Sequence, residues 1–185
     1  MSQSKIDSLF ISLGGITMNI EILKALPSDA KEIIDYVNIV GGESDNLTFG
    51  KNEFAVSVED EKDYIESLYN SKHSIMLIAK KDGKIVGNAN LRGYPKERLR
   101  HRAEFSISIL KDEWGKGIGC FLIEKILDFA KEANIEIISL EVRSDNLAAI
   151  HLYQKYGFEK IGEFKGFMIV NGVNVDCDLM NLSLI

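Results

Sequence analysis

Cysteine is scarce in this chain: Cys120 and Cys177 are the only 2 in 185 residues. Their separation fits neither a metal-ligand spacing nor a disulfide framework, which excludes a disulfide-stapled scaffold and gives no metal site to expect. Reduced thiols in a cytoplasmic setting are the expectation. Basic charge is in deficit, with 22 Lys and Arg against 28 Asp and Glu and a net charge of −6. That argues against nucleic acid as a partner. Long apolar runs are also missing. The longest uncharged stretch, Ser8–Ile20, has 13 residues with two glycines inside, short of the roughly 17–25 that a membrane-spanning helix needs. Lys5 is the only early positive charge, Asp7 follows it and no A-x-A site appears, so neither a secretory leader nor a membrane partner is expected. Repeats, linkers and low-complexity blocks are absent too.

What remains is the balance of an ordinary globular protein, 45% hydrophobic and 27% charged, of a length suited to one domain. Residues 1–17 read as an N-terminal extension, floppy or strand-like, with Met18 as an alternative start; the folded pattern covers 18–185. A strand over Met18–Leu26 leads to Pro27-Ser28-Asp29, a helix start, and that helix is expected to stop at Gly41-Gly42. A second helix spans Glu59–Tyr69. Strands Ser74–Lys80 and Lys84–Leu91 flank Asp82-Gly83, a strong hairpin signal. Period-two alternation marks Ala103–Leu110, helical periodicity marks Ile118–Ala133, and Glu136–Val142 is a near-continuous apolar strand. A helix over Asn146–Tyr156 ends at Gly157, a C-cap glycine. Strands Glu159–Val170 and Val175–Leu184 turn at Asn171-Gly172. The order β-α-α-β-β-β-α-β-α-β-β is that of one α/β domain on a mixed sheet.

The chemistry concentrates where the strand Ala103–Leu110 passes into a helix through Trp114-Gly115-Lys116-Gly117-Ile118-Gly119-Cys120. The glycines let backbone approach a ligand, and the free amides of the helix start form an anion site suited to phosphate. The plain alternative is a connecting turn. A Walker loop is excluded, because no G-x-x-x-x-G-K-[ST] run exists. A dinucleotide fingerprint from Gly115 would place its third glycine at Cys120; Glu141 lies about 20 residues on, but the element comes too late in the chain for that fold.

Downstream, Asn146 to Phe158 reads N-x-x-A-x-x-L-Y-x-K-x-G-F. Together with the strand–WGKGIG–helix unit, this resembles the GNAT superfamily of acetyl-CoA-dependent N-acetyltransferases, whose pyrophosphate motif [QR]-x-x-G-x-[GA] is matched by Trp114–Gly119 except at Trp114. The resemblance implies a single-domain, mostly antiparallel mixed sheet with a splayed centre flanked by helices. It also implies acetyl-CoA as co-substrate and an amine acceptor. Ile107, Ser108 and Ile109 would pair with the pantetheine arm, and the amides of Gly115, Lys116, Gly117, Ile118, Gly119 and Cys120 would hold the pyrophosphate. Asn146 and Ala149 would touch the cofactor arm from the other side, although asparagine there is equally well explained as a helix cap.

Tyr153 matches the tyrosine that protonates the departing CoA thiolate, with a core aromatic as the plain alternative; Tyr156 is read as packing. Glu104, at the start of its strand, is the candidate base for the amine proton, or else an exposed carboxylate. The acidic loop Glu43, Asp45 and Glu53 would attract a cationic acceptor, or is simply solvated. A homodimer through the C-terminal strands and a non-catalytic acyl-CoA-binding module are the remaining expectations.

Overall fold

Two asparagine/aspartate–glycine pairs set two tight hairpin turns. Asp82 and Gly83 have φ of 51° and 76°, and Asn171 and Gly172 have 51° and 79°, the left-handed pair that a two-residue hairpin turn requires. The computed structural model describes the backbone of residues 5–13 and 16–185 and the side chains of residues 19–185. Met18 as a start, and the two glycines of the uncharged stretch, lie outside what those residues describe.

The elements follow as β1 (Lys5–Leu13), β2 (Ile16–Lys24), α1 (Ala30–Glu43), α2 (Val58–Tyr69), β3 (Ser74–Lys81), β4 (Lys84–Gly93), β5 (Arg102–Ile109), α3 (Ile118–Glu132), β6 (Ile137–Arg143), α4 (Leu147–Lys155), β7 (Glu159–Val170) and β8 (Val173–Ser183). Eight strands form one sheet in the order β1-β2-β3-β4-β5-β6-β8-β7. Every pairing is antiparallel except β5 with β6. Within the stretch before Met18, read as floppy or strand-like, Lys5–Leu13 is a strand paired with β2.

Side-chain alternation sends the two faces of the sheet into two cores. Ile75, Leu77 and Ala79 of β3 join Leu122, Ile126 and Tyr153 on the face covered by α3 and α4. Met76 and Ile78 join Ile33, Val37, Ile65 and Leu68 under α1 and α2. Truncating a side chain as enclosed as Leu122 to alanine should cost about 2–5 kcal/mol.

One expectation fails at Gly41-Gly42. The helix α1 runs through both glycines to Glu43. A Cβ on Gly41 would stand 2.7 Å from the Gly50 carbonyl oxygen and 2.9 Å from the Phe49 ring. These glycines therefore admit the 44–53 loop against the helix and do not stop it.

The feature that positions the site is the short parallel ladder. Only Arg102, Ala103 and Glu104 pair with Ile137, Ile138 and Ser139. Past Glu104, β5 stays on β4 as far as Ile109, while β6 stays on β8 as far as Arg143. The two strands part, and a cleft opens between them.

Candidate active site

The exposed edge of β5 is dictated by alternation. Ile137 N donates to the His101 carbonyl on one side at 3.1 Å, and Leu110 N donates to the Val86 carbonyl on the other at 3.0 Å. Between those anchors, the main-chain groups of Phe105, Ile107 and Ile109 face the cleft, and those of Ser106 and Ser108 pair with β4. The Ser108 hydroxyl lies 3.0 Å from Tyr36 OH, which ties α1 to the strand. The cleft has a volume of about 780 Å³. It reaches from the glycine loop, along β5, to the 44–49 loop and the β7 residues Phe167 and Met168.

At one end lies the glycine loop. Gly115 and Gly117 have φ of 72° and 84°, and a Cβ built on either would meet nothing within 4 Å. Their backbone is left-handed and faces open space. Gly119 differs: its Cβ would press on Leu152 and Ile109 at 3.2 and 3.3 Å, so it is a packing glycine. The first amides of α3 have no partner within the helix and are directed to the loop. Trp114, nearly half exposed, donates its indole N–H to the Ile109 carbonyl at 2.7 Å. The Lys116 ammonium is 3.1 Å from Glu113, which also receives Lys81 at 2.8 Å. Burial works against the Glu113 charge, but the two lysines still hold its pKa below the usual carboxylate range. Ile118 is buried in the core, and Cys120 Sγ accepts from Lys155 at 3.6 Å.

Across the cleft, Asn146 caps α4, its Oδ1 accepting from Ala149 N at 3.3 Å, while both residues also line the opening. The Tyr153 ring is packed edge-on against Phe105 and tilted against Phe158, with centroids 6.3 and 5.8 Å away. Tyr153 lines the cleft, and its hydroxyl has no hydrogen-bond partner among the described residues. Burial pushes this phenol up to about 12, so it carries its proton throughout the neutral range. Tyr156 is occupied elsewhere, with its hydroxyl 2.8 Å from Glu124 and 3.2 Å from the Cys120 carbonyl.

Glu104 sits outside the cleft lining. Tyr94 and Arg92 both donate to its carboxylate. The Tyr94 hydrogen bond, and then Arg92, hold it below its ordinary pKa against the pull of burial. The acidic loop is likewise committed or turned away. Glu43 accepts from Lys111 N and Glu53 from Gly50 N, each at 2.7 Å. The loop presents Ser44, Asn46, Leu47, Thr48 and Phe49 to the cleft instead. A carboxylate noted in the sequence only for its distance from the glycine loop does line it: Glu141 of β6, with no ion-pair or hydrogen-bond partner among the described residues. In the sequence it is one of three polar residues, with Ser139 and Arg143, in an otherwise apolar strand; only the parting of β5 and β6 opens it to the cleft.

Two further features bound the chemistry. Among the described residues no group of three or more His, Cys, Asp or Glu is arranged to hold a metal ion. No helix among them is long and apolar enough to cross a membrane.

The family model described as "Acetyltransferase (GNAT) family" matches residues 45–158. An L-methionine sulfoximine/L-methionine sulfone acetyltransferase of Pseudomonas aeruginosa is 25% identical over 140 residues, covering 75% of this chain and 81% of that one. An L-amino acid N-acetyltransferase of Escherichia coli is 31% identical over 105 residues, covering 56% and 65%. The crystal structure of an acetyltransferase of the same family from Streptococcus pneumoniae superposes with a TM-score of 0.86 at 29% identity, covering 90% of this chain and 99% of that one. A Salmonella typhimurium structure solved with its cofactor acetyl-CoA shares the fold, with a TM-score of 0.78 at 20% identity and coverage of 90% and 94%.

Proposed function

Since the chain belongs to the acetyltransferase (GNAT) family, we propose that it transfers an acetyl group from acetyl-CoA to a primary amine, of a small molecule or a peptide N-terminus, within the β5–β6 cleft. The observation that carries this is the pairing of an open, left-handed glycine cradle at the start of α3 with a protonated, unpartnered phenol on the same cleft. The cradle fits the co-substrate's diphosphate. Gly115 and Gly117 leave space where a side chain would stand, and the local excess of positive charge, two lysines on one glutamate, suits an anion. The cleft-facing main-chain groups of Phe105, Ile107 and Ile109 would bind the amide-bearing arm as an added strand, with Ser108 held in place by Tyr36. Asn146 and Ala149 would flank the arm from α4.

Acetyl-CoA supplies the activated acyl group when bound; the protein supplies positions and protons. Tyr153 holds the proton for the departing sulfur. Glu141 faces the cleft directly and can accept the amine's proton, and Glu104 is kept ionised by Tyr94 and Arg92 for the same task through water. Residues 18–185 would make up the transferase domain and 1–17 an extension to it that contains β1, in a cytoplasmic setting. A homodimer would form through β7, an edge strand that exposes Ile161, Phe164 and Ile169. Thiol release from acetyl-CoA, compared among the wild type, Glu104→Gln, Glu141→Gln and Tyr153→Phe, tests the assignment. A large loss of kcat is expected for Tyr153→Phe and for at least one glutamate variant. Full turnover in all three would refute it.

A further inference from the structure

We infer that the amine accepted by this cleft has an apolar body and carries no carboxylate. The inference rests on the transferase reading and names its substrate class. It comes from the charge and polarity of the end of the cleft remote from the glycine loop. Among the described residues, Arg143 is the only cationic side chain on the cleft lining. Its Nε and Nη2 are already bound to the two Asp145 oxygens at 2.9 and 2.7 Å, and its Nη1 to the Asp45 carbonyl at 2.8 Å. That guanidinium therefore has its charge balanced and its side-on fork filled. Two residues before it, on the same face of β6, Glu141 stands without a partner among the described residues.

The balance at this end is one uncompensated negative charge. A free amino acid would have to bring its carboxylate beside Glu141 or take Arg143 from Asp145, and either is unfavourable in a partly desolvated cleft. An ammonium group without a carboxylate meets only attraction there. The rest of this end combines the uncharged Ser44, Asn46 and Thr48 with the apolar Leu47, Phe49, Phe167 and Met168, and the Arg143 bond to Asp45 helps bring the loop against the end of β6. Such a wall favours an aryl or alkyl body over a second cation. At the glycine-loop end the lining carboxylate Glu113 is held by Lys81 and Lys116 behind it, whereas Glu141 at the other end has no such partner among the described residues.

The test is acetyl-CoA turnover with phenethylamine, phenylalanine and spermidine, read as thiol release and as the mass of the acetylated product. Phenylalanine has the less basic amine, so its larger free-base fraction works against the inference. Phenethylamine should exceed both other amines in kcat/KM by at least about tenfold, a difference of ~1.4 kcal/mol. Asp145→Asn, at a largely exposed position, should lower KM for phenylalanine about tenfold by freeing Arg143, with no such gain for phenethylamine. Phenylalanine or spermidine preferred by the wild type overturns the inference and leaves acetyl transfer standing. An unchanged phenylalanine KM in Asp145→Asn also overturns it. No thiol release with any amine, while acetyl-CoA still raises Tm, overturns the transferase reading beneath it.

Discussion

The indole N–H of Trp114 donates to the carbonyl of Ile109 at 2.7 Å, closing the glycine loop onto the end of the strand from which it departs. The side chain that breaks the [QR]-x-x-G-x-[GA] pattern is thereby used to fix the loop. Trp114→Phe should keep the ring and lose that bond. Acetyl-CoA Kd is expected to rise about three- to tenfold with kcat little changed, from the ~0.5–1.5 kcal/mol a hydrogen bond contributes. Calorimetric titration checks it.

Gly117 adopts a φ of 84° with open space where a Cβ would go. Gly117→Ala therefore clashes with nothing and loses only through left-handed strain, about 1–2 kcal/mol. A Tm lower by several degrees, together with weaker acetyl-CoA binding, is the expected outcome. Gly119→Ala should act differently, by wedging α3 from Leu152 and Ile109.

Tyr153→Phe should lower kcat by roughly 10²–10⁴ with acetyl-CoA affinity retained, because the ring packing on Phe105 and Phe158 survives. With the phenol near 12, the wild-type rate should climb through neutrality as the amine loses its proton, with no alkaline downturn below about pH 10. A stopped pH–rate series on both proteins decides this.

Glu61 is buried on the inner side of α2, and loss of hydration pushes its carboxyl up to about 7. A raised folded pKa means that the folded state keeps a proton which the unfolded chain releases near pH 4–5. Stability should therefore fall as pH rises from about 4.5 to 7. Glu61→Gln should remove that slope, raising Tm at pH 8 by several degrees, on the order of 2 kcal/mol, and leaving it little changed at pH 4.5. Thermal melts at the two pH values measure it.

Much of this was legible in the sequence, where local chemistry decides local structure. Asp82-Gly83, Asn171-Gly172 and Gly157 each specify a backbone conformation that few other residues adopt, and each turn or cap lies where the pattern places it. Gly41-Gly42 misled, because a glycine that admits a distant loop reads the same as one that ends a helix; Phe49 and Gly50 supply the reason. The same limit applies to carboxylates. Glu104 is one residue of a period-two strand, and its ties to Arg92 and Tyr94 exist only through the β4–β5 register. Glu141 acquires an open cleft only because the parallel ladder ends at Glu104 and Ser139.

The most direct test of the account is a mass balance on the wild-type protein with acetyl-CoA and phenethylamine. One N-acetylated amine should appear for each free CoA thiol released, and Tyr153→Phe should slow both equally. Acetyl-CoA that binds and stabilises the protein, yet yields neither thiol nor acetylated amine with any primary amine offered, would contradict the account and leave a binding module in its place.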